Sequence, residues 1–263
     1  MKEKVSLYLV QPDLTWENRS DNFGLLEHML SEMPEGIDLV VLPETFATGF
    51  TMRAGRFAEP MDGPSVEWMK RLASSRGVHM AGSLIIRENG KVFNRFPWVS
   101  PTGVEGFYNK RHLFRMGRED YHFTPGTARE VFTLNRGRFL PQVCYDLRFP
   151  VFARNRNDYE VILYVANWPA PRHAVWETLL RARAIENQAH VVGVNRVGTD
   201  GEGVKHLGGS MVVDPAGRVL DILDDRPGVL QVTIDLVQQG DFRKKFPVWK
   251  DADDFTLGPL NRD

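Results

Sequence analysis

Three polar residues stand in settings that suit catalysis. Cys144 is the only cysteine in the chain, and it lies in Arg138-Phe139-Leu140-Pro141-Gln142-Val143-Cys144-Tyr145-Asp146-Leu147-Arg148-Phe149-Pro150. The apolar run predicts a strand over 139–144, and Pro150 suits the first turn of a helix. A thiol at a strand-to-helix junction sits where open α/β folds place reactive groups. A helix N-terminus there would lower its pKa. Taken alone, a single cysteine is more often a small buried hydrophobe. Glu44 directly follows Leu39-Val40-Val41-Leu42-Pro43, a buried-strand pattern. On its own it is as readily a loop carboxylate or a helix cap. Lys110 stands among aromatic and apolar residues in Phe107-Tyr108-Asn109-Lys110-Arg111-His112-Leu113-Phe114. The bland alternative is a packed stem with its ammonium in water.

In combination and in this order, these segments resemble the nitrilase (carbon–nitrogen hydrolase) superfamily. The resemblance runs over nearly the whole chain, from the strand pattern at 5–11 through the two motifs above to Ala166-Asn167-Trp168-Pro169 and Arg181-Ala182-Arg183-Ala184-Ile185-Glu186-Asn187. It implies a Glu44, Lys110 and Cys144 triad that hydrolyses a small amide. Glu44 would take the thiol proton, protonate departing ammonia and then activate water. Lys110 and the backbone N–H of Tyr145 would hold the oxyanion. A second glutamate commonly orients the lysine. Glu119 is the best match, and adjacent Asp120 leaves the register open by one. No cofactor or metal is implied. The seven histidines form neither H-x-H nor H-E-x-x-H.

The segments 42–50 and 114–116 look most like the omega-amidase branch. That branch hydrolyses the terminal amide of 2-oxo-dicarboxylic acid monoamides such as 2-oxoglutaramate and 2-oxosuccinamate. The triad is shared with nitrilases, carbamoylases and other aliphatic amidases, so these stay open. So does a non-catalytic binding module on the same fold. A substrate carboxylate needs a cation, and Arg148 is the first candidate, by a bidentate contact. An ion pair of Arg148 with Asp146 or Glu177 is the alternative. Phe46 and Trp168 are candidate pocket walls, with core packing the competing role.

The elements that must position these residues alternate in type. Strand patterns recur at 5–10, 38–42, 78–86, 92–100, 139–144, 161–166, 191–195, 210–213 and 229–234. Helical spacing predicts helices within 16–33, 65–75 and 174–188. Asn89-Gly90 and Asp214-Pro215-Ala216-Gly217 read as hairpin turns. The glycines between 198 and 203 read as a mobile loop rather than a nucleotide-binding turn. The result is an α/β chain with mixed sheets. The resemblance makes it a four-layer αββα sandwich of two mixed β-sheets flanked by helices, in one domain over 1–263. It also implies a homodimer paired through outer helices, with 145–157 and 174–188 as contributors.

Composition excludes other classes. A net charge of -1 gives no reason to expect nucleic acid or an acidic membrane surface as a partner. No apolar run approaches the ~20 residues of a membrane helix. Met1-Lys2-Glu3-Lys4-Val5 lacks a signal-peptide core, and one cysteine suits a reducing compartment. A cytoplasmic enzyme acting on a small-molecule amide and water is therefore expected.

Overall fold

Strands buried on both faces read as unbroken apolar runs, and their alternate residues feed two different cores. The computed structural model describes residues 2–258 and shows this sorting. From the strand Lys4–Gln11, Val5, Leu7 and Leu9 enter one core while Tyr8 and Val10 enter another. From Val161–Val165, the odd-numbered residues share that first core, and Ile162 and Tyr164 enter a third. The first core therefore lies between two sheets, and each of the others lies between a sheet and helices. Arg19–Leu30 supplies Leu26 and Leu30, and Pro64–Arg76 supplies Val66, Met69 and Leu72, to the outer face of one sheet. His173–Asn187 lays Trp176, Leu180 and Ala184, four residues apart, on the other. The four layers are those of an αββα sandwich.

The first sheet has seven strands. Its order is Gly228–Asp235, Lys4–Gln11, Leu39–Val41, His79–Ala81, Lys91–Ser100 and Leu84–Glu88, with Gly103–Asn109 also paired to Lys91–Ser100. The second has six, in the order Val219–Ile222, Met211–Val213, His190–Val194, Val161–Val165, Gly137–Val143 and Phe132–Leu134. In each, a central trio of parallel strands is extended by antiparallel neighbours.

The strand expected over 78–86 is two strands, His79–Ala81 and Leu84–Glu88. At the break, a Cβ on Gly82 would stand 2.9 Å from Leu42 Cβ, so the two backbones touch. Ser83 leaves the ladder to bind the neighbouring loop: its Oγ accepts from Thr45 N (2.9 Å) and its carbonyl from Phe46 N (3.3 Å). The break thus supports the loop that carries Glu44. The first helix starts later than the apolar spacing suggested, because the Asn18 side chain caps it by accepting from Asp21 N. Both expected hairpin turns form, and Asn89 and Gly90 have φ of +50° and +75°, as a two-residue type I′ turn requires. The expected domain over 1–263 includes residues 1 and 259–263, which lie outside the described residues. No helix among the described residues is long and apolar enough to cross a membrane.

Candidate active site

Glu44, Cys144 and Asn167 all stand just beyond the carboxyl ends of parallel strands, Leu39–Val41, Gly137–Val143 and Val161–Val165. Two turns there are strained. Thr45 has φ +44° and Cys144 φ +46°, a region that costs a side-chain-bearing residue roughly 1–3 kcal/mol. Lys110 follows the antiparallel strand Gly103–Asn109, and its backbone N–H bonds the carbonyl of Asn94 at 2.9 Å. That bond brings Asn94 and Lys110 side by side.

The side chains meet in a closed network. Lys110 Nζ donates to Oε1 of Glu44 at 2.9 Å and to Oε1 of Glu119 at 3.0 Å. Asn94 Nδ2 donates to the same two carboxylates, at 2.8 Å and 3.3 Å. The backbone N–H of Asn167 donates to Oε2 of Glu44 at 2.9 Å, and that of Phe114 to Oε2 of Glu119 at 2.6 Å. The charge of Glu44, and after it those of Lys110 and Glu119, act on the Cys144 thiol. Both glutamates and Asn94 are wholly buried.

Burial works to lower the pKa of the Lys110 ammonium, but the charges of Glu119 and Glu44 outweigh it and hold the group above its usual value. Burial raises the Glu119 carboxyl, against the pull of Lys110. Burial, and then the negative charge of Glu44, push the Cys144 thiol well above its usual value. This corrects the expectation of a thiol lowered by a helix. Cys144–Arg148 is only a 3₁₀ turn and Pro150–Ala153 has four residues, so little dipole opposes desolvation. Burial and the Glu44 charge both favour the neutral thiol, which would have to give its proton to a base in order to attack a carbonyl. Glu44 is the neighbouring carboxylate whose charge acts on it most strongly.

A cavity of about 380 Å³ opens over this network, with Lys110 and Cys144 in its lining. The match to the carbon–nitrogen hydrolase family spans residues 7–244. This chain belongs to the carbon–nitrogen hydrolase family. It is 42% identical over 254 residues to the omega-amidase YafV of Escherichia coli K12, covering 96% of this chain and 98% of that one. It is 32% identical to the 2-oxoglutaramate amidase of Bacillus subtilis 168, over 94% of this chain and 97% of that one. Among solved structures, XC1258 from Xanthomonas campestris, a CN-hydrolase superfamily protein with an arsenic adduct in its active site, matches with a TM-score of 0.95 at 40% identity. That match covers 98% of this chain and 100% of the other.

In this carbon–nitrogen hydrolase the register ambiguity between the two acidic residues resolves geometrically. Glu119 reaches Lys110, whereas Asp120 is exposed and faces a separate cavity of about 780 Å³. Phe46 is not a pocket wall. It is fully buried against Trp68, with ring centroids 5.7 Å apart, because the φ-positive turn at Thr45 sends it into the helix-facing core. Phe50, four residues on, lines the cavity instead, its ring 5.1 Å from Lys110 Nζ. Trp168, a candidate pocket wall, lines the cavity, and so does Tyr145.

Arg148 also lines the cavity and stacks over the Trp168 ring at 5.5 Å. Neither anticipated ion pair forms. Asp146 is fully buried and bonded elsewhere, and Glu177 meets His173 at 3.3 Å. Sequence reasoning missed Asn94, whose signal was a polar residue inside the strand pattern 92–100. It also missed Arg172, which lines the cavity and lies over the Phe114 ring at 5.3 Å. The glycine-containing loop after 198 supplies Asp200 and Glu202 to the same rim.

Proposed function

We propose that this protein is an omega-amidase that hydrolyses the terminal amide of 2-oxoglutaramate or 2-oxosuccinamate through a cysteine thioester. The observation that carries the reading is the buried Lys110, shared by Glu44 and Glu119, beneath a cavity that holds Cys144 and is rimmed by Arg148 and Arg172. Among the described residues neither arginine forms an ion pair, and each stacks on an aromatic ring that holds it without using its N–H groups.

The Cys144 sulfur attacks the amide carbon as Glu44 takes the thiol proton. The new C–S bond leaves negative charge on oxygen, which Lys110 and the first N–H groups of the turn, Tyr145 foremost, stabilise. Glu44 returns its proton to nitrogen as the C–N bond breaks and ammonia leaves. It then takes a proton from water attacking the thioester, and restores the thiol as sulfur departs. Glu119 holds Lys110 in place and balances its charge. Arg148 and Arg172 bind the distal carboxylate and its neighbouring 2-oxo group.

The names of the two curated relatives support this substrate class. An ammonia-release screen over 2-oxo acid monoamides, neutral amides, nitriles and carbamoyl amino acids tests it. Preference for a neutral amide, nitrile or carbamoyl compound would overturn the omega-amidase assignment.

In the same reading the chain is one domain acting in the cytoplasm as a homodimer. Val151 and Ile185, both 55% exposed, sit on the two segments expected to pair, which supports that surface. A monomeric mass by light scattering in dilute solution would contradict it.

A further inference from the structure

We propose that Asp146 is a positioning residue that fixes Cys144 and Lys110 relative to each other by tying together the two chain segments that carry them. Its carboxylate is fully buried and touches no reacting group of the site described above. Oδ2 accepts from the Tyr108 hydroxyl at 2.8 Å and from the Val143 N–H at 2.9 Å. Oδ1 accepts from the His112 N–H at 3.0 Å and stands 2.7 Å from His112 Nδ1. A carboxylate only accepts, so Nδ1 carries the hydrogen. Four donors therefore converge on two oxygens, which fills the carboxylate's capacity.

The placement of the donors gives the arrangement its meaning. Tyr108 and His112 lie two residues to either side of Lys110. Val143 and Asp146 bracket Cys144. Tyr108 adds a fifth bond, its oxygen accepting from the Arg111 N–H at 3.0 Å. The phenol stays protonated, since burial and the Asp146 charge both push it up. Beyond the carboxylate, the His112 ring stacks on Phe149 at 3.9 Å, closing the far side of the nucleophile turn. A strained φ at Cys144 persists only where its surroundings over-determine it, and Asp146 supplies those constraints from both segments at once.

The inference rests on the catalytic roles assigned above to Cys144 and Lys110. Asp146→Asn keeps the size but has one acceptor oxygen, and its NH₂ would confront two donors. Turnover per titratable thiol should fall by about 100-fold, the scale of a misplacement near 1 Å. KM should change by less than roughly 3-fold, since no substrate contact is lost. Alkylation of Cys144 by iodoacetamide needs no alignment with Lys110, and should fall by less than about 10-fold. Tyr108→Phe removes one donor and should show a smaller loss of the same kind; it decides the question if Asp146→Asn does not fold.

Normal turnover per thiol in the folded variant overturns the proposal, as does a raised KM with unchanged kcat. Equal losses of alkylation and turnover would overturn the two-segment claim. Wild-type turnover in Cys144→Ala would instead sink the triad assignment on which the inference stands.

Discussion

Lys110 Nζ stands 2.9 Å from Oε1 of Glu44, and both side chains are withdrawn from solvent. A buried ion pair of this kind is poor evidence for stability, because desolvation offsets most of the attraction. Here the ammonium serves two carboxylates, Glu44 and Glu119, so the cluster is one charge short of neutral when both are ionised. A proton arriving from a thiol has a ready acceptor in such a cluster.

The two glutamates should therefore separate in their effects. Glu44→Gln keeps the shape but cannot take the thiol proton, and should lose roughly 10²–10⁴-fold in turnover, the range of general acid–base catalysis. Glu119→Gln keeps that base and should cost less, while exposed Asp120→Asn should be near normal. Ammonia release per titrated thiol measures all three. A normal Glu44→Gln with one essential histidine would point to a Cys-His enzyme.

Cys144→Ala should abolish turnover with the fold intact. The thiol should also behave as a neutral group. Burial and the Glu44 charge hold its pKa up, so its alkylation rate should keep climbing as pH rises beyond neutrality. A plateau already reached below pH ~7 would mean a preformed thiolate, as at cysteines with a depressed pKa. The same shift makes folding stability fall above the unfolded thiol's pKa of about 8.5, where only the unfolded chain ionises readily.

Much of this was legible because strand ends are. Apolar runs placed Glu44 and Cys144 at the carboxyl ends of strands, and tertiary structure left them there. Glu119 and Asp120 were not separable, since both occupy a four-residue helix entered through Arg118 at φ +59°, and only the surrounding fold decides which turns inward. Phe46 was expected at the cavity and Phe50 lines it instead, for a related reason. A left-handed turn at Thr45 reverses the side on which the following residues fall. Arg172 carried no local signal, because it comes to the cavity from the short 3₁₀ turn Ala170–Arg172 that leads into the outer helix of the second sheet.

His206 gives the cavity wall a pH dependence. Burial, and then the Arg196 charge, lower its pKa to about 4. The unfolded residue titrates near 6.5. Stability from keeping it neutral is therefore complete above pH ~6.5 and is lost as pH falls toward the folded value. Between pH 7.5 and 5.0 this amounts to about 2 kcal/mol. Urea unfolding at both pH values should show wild type losing about that much more than His206→Gln. Equal losses in the two proteins would mean that His206 is accessible to protons in the folded state.

The two rim arginines carry the sharpest test of substrate class. Arg148 is exposed and Arg172 half-buried, so each contact with a carboxylate would be partly screened by water. A hydrogen bond to a charged group contributes about 1.5–3 kcal/mol, which is roughly 10- to 100-fold in kcat/KM. Arg148→Ala should lower kcat/KM for 2-oxoglutaramate by that amount, and hexanamide hydrolysis far less. Arg172→Ala should do the same if it binds the same end of the substrate. The two share Trp168, whose ring lies under Arg148 and whose Nε1 donates to the Arg172 carbonyl at 2.7 Å. Neighbours linked in this way rarely act independently, so the double variant should depart from the product of the single effects. Loss of both substrates to the same extent in Arg148→Ala would make that residue a support for Trp168 rather than a ligand for carboxylate.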